Sequence, residues 1–246
     1  DGKWTFDWEG MEAAVTHKTK LFILCNPQNP LGRNFTESEI RQVAEFCDKH
    51  RLVLVSDEIH CDLVFNADVQ PFYSALRLPD ALKRRLIVLQ APSKTYNIAG
   101  LGFAFAVIPN DTIRRGFMSD RGCSVPEINC IAFYTAEAAY RHGEPWRKEL
   151  LAYLEKNRNT FMEFAKSEMP YVKVPDIEAT YLGWMDCRAL EIENPAEYLE
   201  KDAGLYLSEG AGFGGAGHIR MNYGCPHARL LEGLEKIKSS FAKIAR

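Results

Sequence analysis

The stretch Leu86-Ile-Val-Leu-Gln-Ala-Pro-Ser-Lys-Thr-Tyr-Asn-Ile-Ala-Gly100 joins an apolar run to a polar turn. Consecutive aliphatic residues are typical of a strand that is buried on both faces of a sheet. The proline and the polar residues after the run predict that the strand ends there and that the chain turns. Lys94 is therefore predicted to lie just beyond the carboxyl end of a buried strand.

Two similar runs precede this one in the chain. Leu21-Phe-Ile-Leu-Cys25 leads into Asn26-Pro-Gln-Asn-Pro-Leu-Gly32, and Leu52-Val-Leu-Val55 leads into Ser56-Asp-Glu-Ile-His60. Between them, Thr36-Glu-Ser-Glu39 has the pattern of a capping box that opens an amphipathic helix. We expect buried parallel strands alternating with helices, which is an α/β fold. In such sheets ligands bind at the carboxyl ends of the strands, where the three polar turns lie.

A fourth strand, at 103–108, is predicted to close the first half of the chain, and the second half is mainly helical. Helices are predicted at 127–140 and at about 146–167, strands at 181–186 and 218–223, and a final helix from about residue 227. Because the composition changes near residue 125, we place a domain boundary there. The predicted domains are residues 1–125 and residues 126–246.

The composition excludes several classes of function. A formal net charge of -3 over 246 residues gives no reason to expect a nucleic acid or an anionic membrane as partner. The 7 cysteines never form a Cys-x-x-Cys pair, which argues against a disulfide framework and a zinc site, and we expect no metal. The scattered cysteines fit a reducing cytoplasm, and the small net charge favours a small-molecule ligand. No segment is apolar enough to span a membrane. Because the chain does not begin with methionine, we expect it to begin inside a longer protein.

Three side chains in the polar turns suggest chemistry, although each also has an ordinary structural interpretation. A surface lysine is usually solvated, but Lys94 in a cleft can lose its proton and become the neutral amine that Schiff-base chemistry requires. Asp57 at a strand end is either a structural ion-pair partner or the carboxylate that keeps a pyridinium nitrogen protonated. Asn29 is either a turn residue or an amide donor to a cofactor oxygen.

Four segments together resemble one enzyme family. Asn26-Pro-Gln-Asn-Pro-Leu-Gly32, Ser56-Asp-Glu-Ile-His60, Ser93-Lys-Thr-Tyr-Asn-Ile-Ala-Gly100 and Ile219-Arg-Met-Asn-Tyr-Gly-Cys-Pro226 follow in the order and spacing of class I and II aminotransferases of fold type I. Each segment is a weak signal alone, and four in order are strong. The sequences of the segments that begin at Ser56 and Ser93 are most similar to the branch that contains cystathionine β-lyase-type C–S lyases.

The resemblance implies a pyridoxal 5'-phosphate (PLP) enzyme that acts on an amino acid as a homodimer. Residues 1–125 would be the C-terminal part of the large PLP-binding domain, with a mostly parallel sheet. Residues 126–246 would be a bridging helix and a small C-terminal α+β domain. Family members have well over a hundred residues before the position of Asp1, and those residues normally supply the phosphate-binding turn.

Carried over residue by residue, the resemblance implies four contacts with the cofactor. Lys94 forms the Schiff base with PLP and later removes the substrate α-proton. Asp57 pairs with the pyridine nitrogen, and Asn29 contacts the ring oxygen. His60, where many relatives have a tyrosine, assists at that same oxygen, although a hydrogen-bonded core histidine is its ordinary interpretation.

The resemblance also implies a substrate clamp and shows one departure. Arg220 matches the arginine that binds the substrate α-carboxylate, with Asn29 beside it, and a bidentate guanidinium suits that planar anion. Ser93 is expected to offer a hydroxyl to the cofactor. Many true aminotransferases carry a phosphate-binding arginine where this chain has Gly102. The glycine-rich run from Gly210 to Gly217 precedes a strand and is interpreted as a flexible loop that leads to Arg220.

Three functions remain open from the sequence. The favoured hypothesis is a C–S β-lyase that cleaves a sulfur amino acid to a thiol, pyruvate and ammonia. The second is an aminotransferase of class I or II. The third is a truncated, non-catalytic remnant that binds no cofactor, which the missing phosphate-binding segment motivates.

Overall fold

The computed structural model describes residues 2–122 and 124–245. The chain divides into two compact units. The N-terminal unit contains Thr5–Gln28 and Asn34–Glu149. The C-terminal unit contains Asp1–Trp4, Asn29–Arg33 and Leu150–Arg246. The domain boundary near residue 125 stays a prediction about the large and small domains of the family.

The N-terminal unit is built on a four-stranded sheet. Its strands, in spatial order, are β1 (Leu21–Cys25), β2 (Val53–Asp57), β3 (Leu86–Gln90) and β4 (Phe105–Val107). The first three strands are parallel, as predicted, and β4 pairs antiparallel with β3. The α/β fold class with a mostly parallel sheet is confirmed. Parallel pairing brings the ends of β1, β2 and β3, and the polar turns after them, to one edge of the sheet.

Five helices begin in this unit: α1 (Trp8–Ala14), α2 (Glu37–Lys49), α3 (Asp111–Arg121), α4 (Cys130–His142) and α5 (Glu144–Glu168). The predicted capping box opens α2: the Thr36 hydroxyl accepts a hydrogen bond from the Glu39 N–H at 3.3 Å, and the Glu39 carboxylate accepts one from the Thr36 N–H at 2.8 Å. The stripe Ile40, Val43, Ala44 and Cys47 is buried, as predicted. The division between the two units falls inside α5.

Strand β1 is less buried than its sequence predicts. Leu21 is 50% exposed and Ile23 is 65% exposed, so the expectation of a strand covered on both faces is wrong. Leu24 is buried against the core, with 3% exposed. Side chains alternate between the two faces of a strand, so Leu21 and Ile23 lie on one face and Leu24 on the other. Among the described residues, only the face with Leu24 packs on the core.

Helix α4 buries small apolar residues and exposes large ones. Ala132 and Ala136 are buried, whereas Ile131, Phe133 and Tyr134 are exposed. A surface helix normally buries its large apolar side chains. Contiguous exposed apolar residues mark interaction surfaces more often than solvated ones.

The C-terminal unit is built on a second, antiparallel sheet. Its strands are β5 (Leu182–Asp186), β6 (Ser208–Glu209) and β7 (His218–Asn222), in the spatial order β5-β7-β6. The helices are the second part of α5, α6 (Pro195–Ala203) and α7 (His227–Phe241). The predicted strands at 181–186 and 218–223 and the final helix from residue 227 are confirmed within one residue of their bounds.

A buried asparagine on α5 fixes the turn between β7 and α7. The Asn157 amide donates to the carbonyl oxygens of Tyr223 at 2.9 Å and Cys225 at 2.8 Å, and its Oδ1 is 2.8 Å from Nδ1 of His227. The Tyr223 hydroxyl donates to the Thr180 carbonyl at 2.9 Å. These contacts position the end of β7, the strand that carries Arg220.

We predict that Asn157→Ala lowers the free energy of unfolding by about 2–4 kcal/mol, because two buried carbonyls lose their donor. Urea denaturation of the full-length protein measures this change. Lys156→Ala, the exposed neighbour of Asn157 on the same helix, is the matched control and is expected to cost less than about 1 kcal/mol. An equal loss in both variants would contradict a specific role for Asn157.

The described part of the chain contains six cysteines, all free thiols, and Cys123 lies outside the described residues. Among these residues no helix is long and apolar enough to cross a membrane. Within the same ranges, no group of three His, Cys, Asp or Glu side chains is arranged to hold a metal ion.

Candidate active site

The predicted site residues are divided between the two units. The N-terminal unit contains Asp57, His60, Ser93 and Lys94, and the C-terminal unit contains Asn29 and Arg220. Lys94 lies in a tight turn after β3 in the N-terminal unit. The turn is closed by hydrogen bonds from the Tyr96 N–H to the Pro92 carbonyl at 2.9 Å and from the Ile98 N–H to the Ser93 carbonyl at 3.2 Å. Lys94 itself is half-buried. The turn therefore holds the lysine backbone at the carboxyl edge of the sheet, as predicted.

The residue after Lys94 anchors the turn. Thr95 is 1% exposed, and its hydroxyl donates to Asp62 Oδ2 at 3.5 Å. Arg147, at the start of α5, donates to the Asp62 carbonyl oxygen at 3.1 Å. Burial raises the pKa of Asp62, and the charge of Arg147 acts against that rise. The lysine turn is thus connected to the segment that follows β2.

Asp57 ends β2 on the same sheet edge. Its carboxylate is half-buried and accepts a hydrogen bond from the Ile59 N–H at 3.3 Å. Burial raises its pKa, while the Ile59 N–H and the charge of Lys94 act in the opposite direction. The structure therefore brings Asp57 and Lys94 within electrostatic reach of each other. A half-buried carboxylate at this edge can accept a hydrogen bond from a protonated ring nitrogen, whose positive charge would favour the ionised carboxylate, so Asp57 and Lys94 fit PLP.

Glu58, the next residue, is fully buried and has no role in the sequence hypotheses. Burial raises its pKa, and its hydrogen-bond donors act against that rise. Its carboxylate accepts from Ser56 Oγ at 3.0 Å, Ser74 Oγ at 2.7 Å, the Ala75 N–H at 2.8 Å and Gln90 Nε2 at 3.2 Å. These bonds join β2, the end of β3 and the segment at residues 74–75, and so they hold the backbone beside Asp57.

His60 and Ser93 complete the predicted set in this unit. His60 is 3% exposed, and its carbonyl accepts a hydrogen bond from the Leu63 N–H at 2.9 Å, so it begins a turn three residues after Asp57. Ser93 is half-buried and directly precedes Lys94. Both lie in the two polar turns after β2 and β3. Their contacts with a cofactor stay predictions.

Arg220 and Asn29 lie together in the C-terminal unit. Nη1 of Arg220 donates to Asn29 Oδ1 at 3.1 Å, and Nη2 donates to Ser208 Oγ at 3.1 Å. The Arg220 Cζ atom is 4.5 Å from the centroid of the Phe213 ring. The charge of Arg220 also lowers the pKa of Tyr181, against a larger rise that burial causes.

No Asp or Glu side chain forms an ion pair with Arg220 among residues 2–122 and 124–245. Its partners are a neutral amide, a hydroxyl and an aromatic ring. Because these partners are neutral, they do not neutralise the positive charge of the half-buried guanidinium, which can therefore bind an anionic ligand. The arrangement suits a carboxylate, as the sequence predicts for the substrate.

The matched family model is "Aminotransferase class I and II", and it covers residues 1–237. The chain belongs to the class I and II aminotransferase family. The cystathionine beta-lyase PatB of Bacillus subtilis is 36% identical over an alignment of 249 positions, which covers 98% of this chain and 64% of PatB. The family resemblance expected from the four segments is thus confirmed.

Solved structures of the family share the fold. The crystal structure of OvoB matches with a TM-score of 0.92 and 38% identity, over 98% of this chain and 63% of OvoB. A PLP-bound C–S lyase from Staphylococcus hominis, complexed with L-cycloserine, matches with a TM-score of 0.89 and 31% identity, over 98% of this chain and 60% of the lyase. The chain therefore spans less than two thirds of the length of these relatives.

The sequence hypotheses gave no role to several residues of these surroundings, among them Glu58, Ser208 and Phe213. Glu58 lies inside the segment at residues 56–60, directly after a buried apolar strand. A carboxylate in such a position needs hydrogen-bond partners, and this is the signal that could have identified it. Ser208 lies on β6 and Phe213 in the glycine-rich run. Neither carries a sequence signal that connects it with Arg220.

Proposed function

We propose that the protein containing this chain is a PLP-dependent C–S β-lyase that cleaves a sulfur amino acid to a thiol, pyruvate and ammonia. The observation that carries the proposal is the placement of Asp57 at the end of β2 and of Lys94 in the turn after β3, both at the carboxyl edge of the parallel sheet. The names of the cystathionine beta-lyase and C–S lyase relatives support the lyase reaction.

Bound PLP supplies an electron sink for the substrate α-carbon. Lys94 would hold the cofactor through Nζ, and the same amine would take the proton from the substrate α-carbon. The carboxylate of Asp57 keeps the proton on the ring nitrogen, and His60 and Asn29 are proposed to bind at the ring oxygen. Ser93 is proposed to offer its hydroxyl to the cofactor.

Arg220 has the complementary role of holding the substrate α-carboxylate. Its two fixed hydrogen bonds, to Asn29 and Ser208, leave further N–H groups of the guanidinium for the two carboxylate oxygens. In the lyase reaction the proton taken by Lys94 passes to the departing sulfur, and water later releases pyruvate and ammonia. All atoms of the substrate and one water are then accounted for.

The alternative is an aminotransferase, which the family as a whole favours. In that reaction the proton held by Lys94 Nζ would not pass to a sulfur leaving group, and a keto acid would be required to complete the cycle. Supplying cystathionine to the full-length protein without a keto acid, and measuring pyruvate, separates the two. Pyruvate formation supports the lyase. Turnover only after a keto acid is added establishes the transferase and rejects the lyase proposal.

A non-catalytic remnant is tested by covalent trapping. The protein is incubated with PLP, reduced with borohydride and analysed by peptide mass spectrometry. A mass increase on the peptide that contains Lys94 supports a PLP enzyme. A protein that carries no adduct on that peptide is the remnant.

Substitution of the substrate clamp tests binding separately from chemistry. We predict that Arg220→Lys raises KM for the amino acid about 10- to 100-fold with a smaller change in kcat, because a bidentate charge-assisted contact becomes a single one. Arg188→Lys is the matched control, since Arg188 binds Asp186 through the same kind of bidentate contact on the surface of the same unit. An Arg220→Lys enzyme with unchanged KM would contradict the clamp.

We also propose that the protein is a homodimer. The exposed apolar residues of α4, among them Tyr134 with 74% exposed, support an interface on this helix. Analytical ultracentrifugation of the full-length protein measures the association. Ile131→Asp is expected to weaken it, and a monomeric wild-type protein at micromolar concentration would reject it.

A further inference from the structure

The glycine-rich run before β7 is a close-packed turn. It does lead to Arg220, as expected, but Gly210–Phe213 forms a 3-10 helix, and the Gly215 N–H donates to the Gly210 carbonyl at 3.0 Å. A side chain at Gly210 would meet the Gly215 carbonyl oxygen at 2.4 Å. A side chain at Gly215 would meet the Trp184 ring at 2.5 Å. Two glycines thus permit contacts that any other residue would block.

This turn places Phe213 against Arg220. The guanidinium carbon lies 4.5 Å from the ring centroid, which is within the range of a cation–π contact. The ring also contacts Trp184 edge-on, with centroids 6.0 Å apart at an interplanar angle of 85°. Phe213 is nevertheless 42% exposed, so it is not a core residue.

We propose that Phe213 is a positioning residue for the substrate carboxylate, acting by stacking on Arg220. The proposal deepens the proposed function and rests on Arg220 as the carboxylate-binding residue. It is supported by the contact of Phe213 with Arg220 and by the tightly packed glycine turn that presents the ring.

Three contacts define the orientation of the guanidinium. Asn29 and Ser208 each accept a hydrogen bond from one terminal nitrogen, and the Phe213 ring lies near the guanidinium carbon. Arginine has five N–H donors, so three remain after these two bonds. A carboxylate needs two of them for a bidentate contact.

The ring also affects the strength of the contact with the carboxylate. Phe213 is apolar and excludes water from the side of the guanidinium that it covers. Charge-assisted hydrogen bonds strengthen where water is excluded, because the local dielectric constant falls. Loss of the ring is therefore expected to weaken carboxylate binding more than it weakens proton removal at the α-carbon.

The experiment compares Phe213→Leu with Phe213→Tyr in the full-length, PLP-loaded protein. Leucine is expected to raise the Kd of L-alanine, and KM of the sulfur amino acid, about 3- to 30-fold, which is the range of a cation–π contact. The value of kcat is expected to change less than about twofold, since catalysis responds only to interactions that differ in the transition state. Tyrosine keeps the ring and is expected to restore both constants.

The matched control is Phe164→Leu, which removes a ring from another aromatic–cation pair of the same unit, with Lys238 Nζ 5.9 Å from the ring centroid. This variant is expected to leave Kd and KM unchanged. Unchanged Kd and KM in Phe213→Leu, or equal rises in both leucine variants, would overturn the proposal. A rise that tyrosine does not restore would overturn it as well.

L-alanine separates this proposal from the proposed function. It has an α-carboxylate but no sulfur leaving group, so its binding does not depend on lyase activity. A protein that binds L-alanine, loses affinity in Phe213→Leu and forms no pyruvate from cystathionine would retain the Phe213 proposal and lose the lyase proposal.

Discussion

Lys94→Ala is expected to abolish turnover, with a loss greater than about a thousand-fold, because both the covalent attachment of PLP and the base at the α-carbon are removed. The visible absorbance of lysine-bound PLP is expected to disappear in the same variant. Lys94 lies in a hydrogen-bonded turn, and its neighbour Thr95 anchors that turn, so truncation of the lysine side chain leaves the local backbone contacts in place.

Two controls make this result specific. Lys94→Arg keeps the positive charge near Asp57 but cannot form a Schiff base, and it is expected to be as inactive as the alanine variant. Lys83→Ala removes a partly buried lysine that pairs with Asp80, and it is expected to keep full activity. Turnover above one tenth of the wild-type rate in either Lys94 variant would reject Lys94 as the PLP lysine.

Asp57→Asn is expected to lower kcat about a hundred- to a thousand-fold while the protein still binds PLP. The amide has the shape of the carboxylate but cannot keep the ring nitrogen protonated, so the electron sink is weakened and the Schiff base is retained. Steady-state kinetics give kcat. Borohydride trapping, followed by a mass increase on the Lys94 peptide, gives PLP occupancy.

The matched control for Asp57 is Asp62→Asn. Asp57 ends β2 and Asp62 follows it, both carboxylates have a pKa raised by burial, and of the two only the pKa of Asp57 is lowered by the charge of Lys94. Asp62→Asn is expected to lower kcat less than about tenfold, since it affects the lysine turn only through Thr95. Equal losses in the two variants would show that burial of a carboxylate, and not its pairing with the cofactor, is what matters here.

The strands of the N-terminal unit were predictable because long aliphatic runs are a strong signal. The runs at 21–25, 52–55 and 86–89 become β1, β2 and β3. The exposure of β1 was not predictable, because it depends on which elements cover each face of the folded sheet. The direction of β4 was equally hidden, since a three-residue strand carries no signal of its orientation.

Three helices were missed for different reasons. Helix α3 buries none of its residues, and its apolar stripe is short, with only Ile113, Phe117 and Met118. Helix α1 is only 7 residues long and also buries none. Helix α6 did carry a signal, because Asn194 caps it and Pro195 occupies its first turn.

The site residues were predicted through ordered motifs, and their partners were not. Asp57 and Lys94 follow neighbouring strands, so parallel pairing alone brings them to one edge. Ser208 reaches Arg220 through the pairing of β6 with β7, and Phe213 reaches it through the glycine turn. Both contacts depend on tertiary packing over 7 to 12 residues of chain, which local patterns do not reveal.

The glycine turn also offers a place for a spectroscopic reporter. Unlike Gly210 and Gly215, Gly212 has open space where a side chain would begin and no positive φ. A cysteine at residue 212 can therefore carry a fluorophore one residue from Phe213. Replacement of the exposed Cys130 by serine would reduce competing labelling. Such a label would report ligand arrival at Arg220 in real time, whichever reaction the enzyme catalyses.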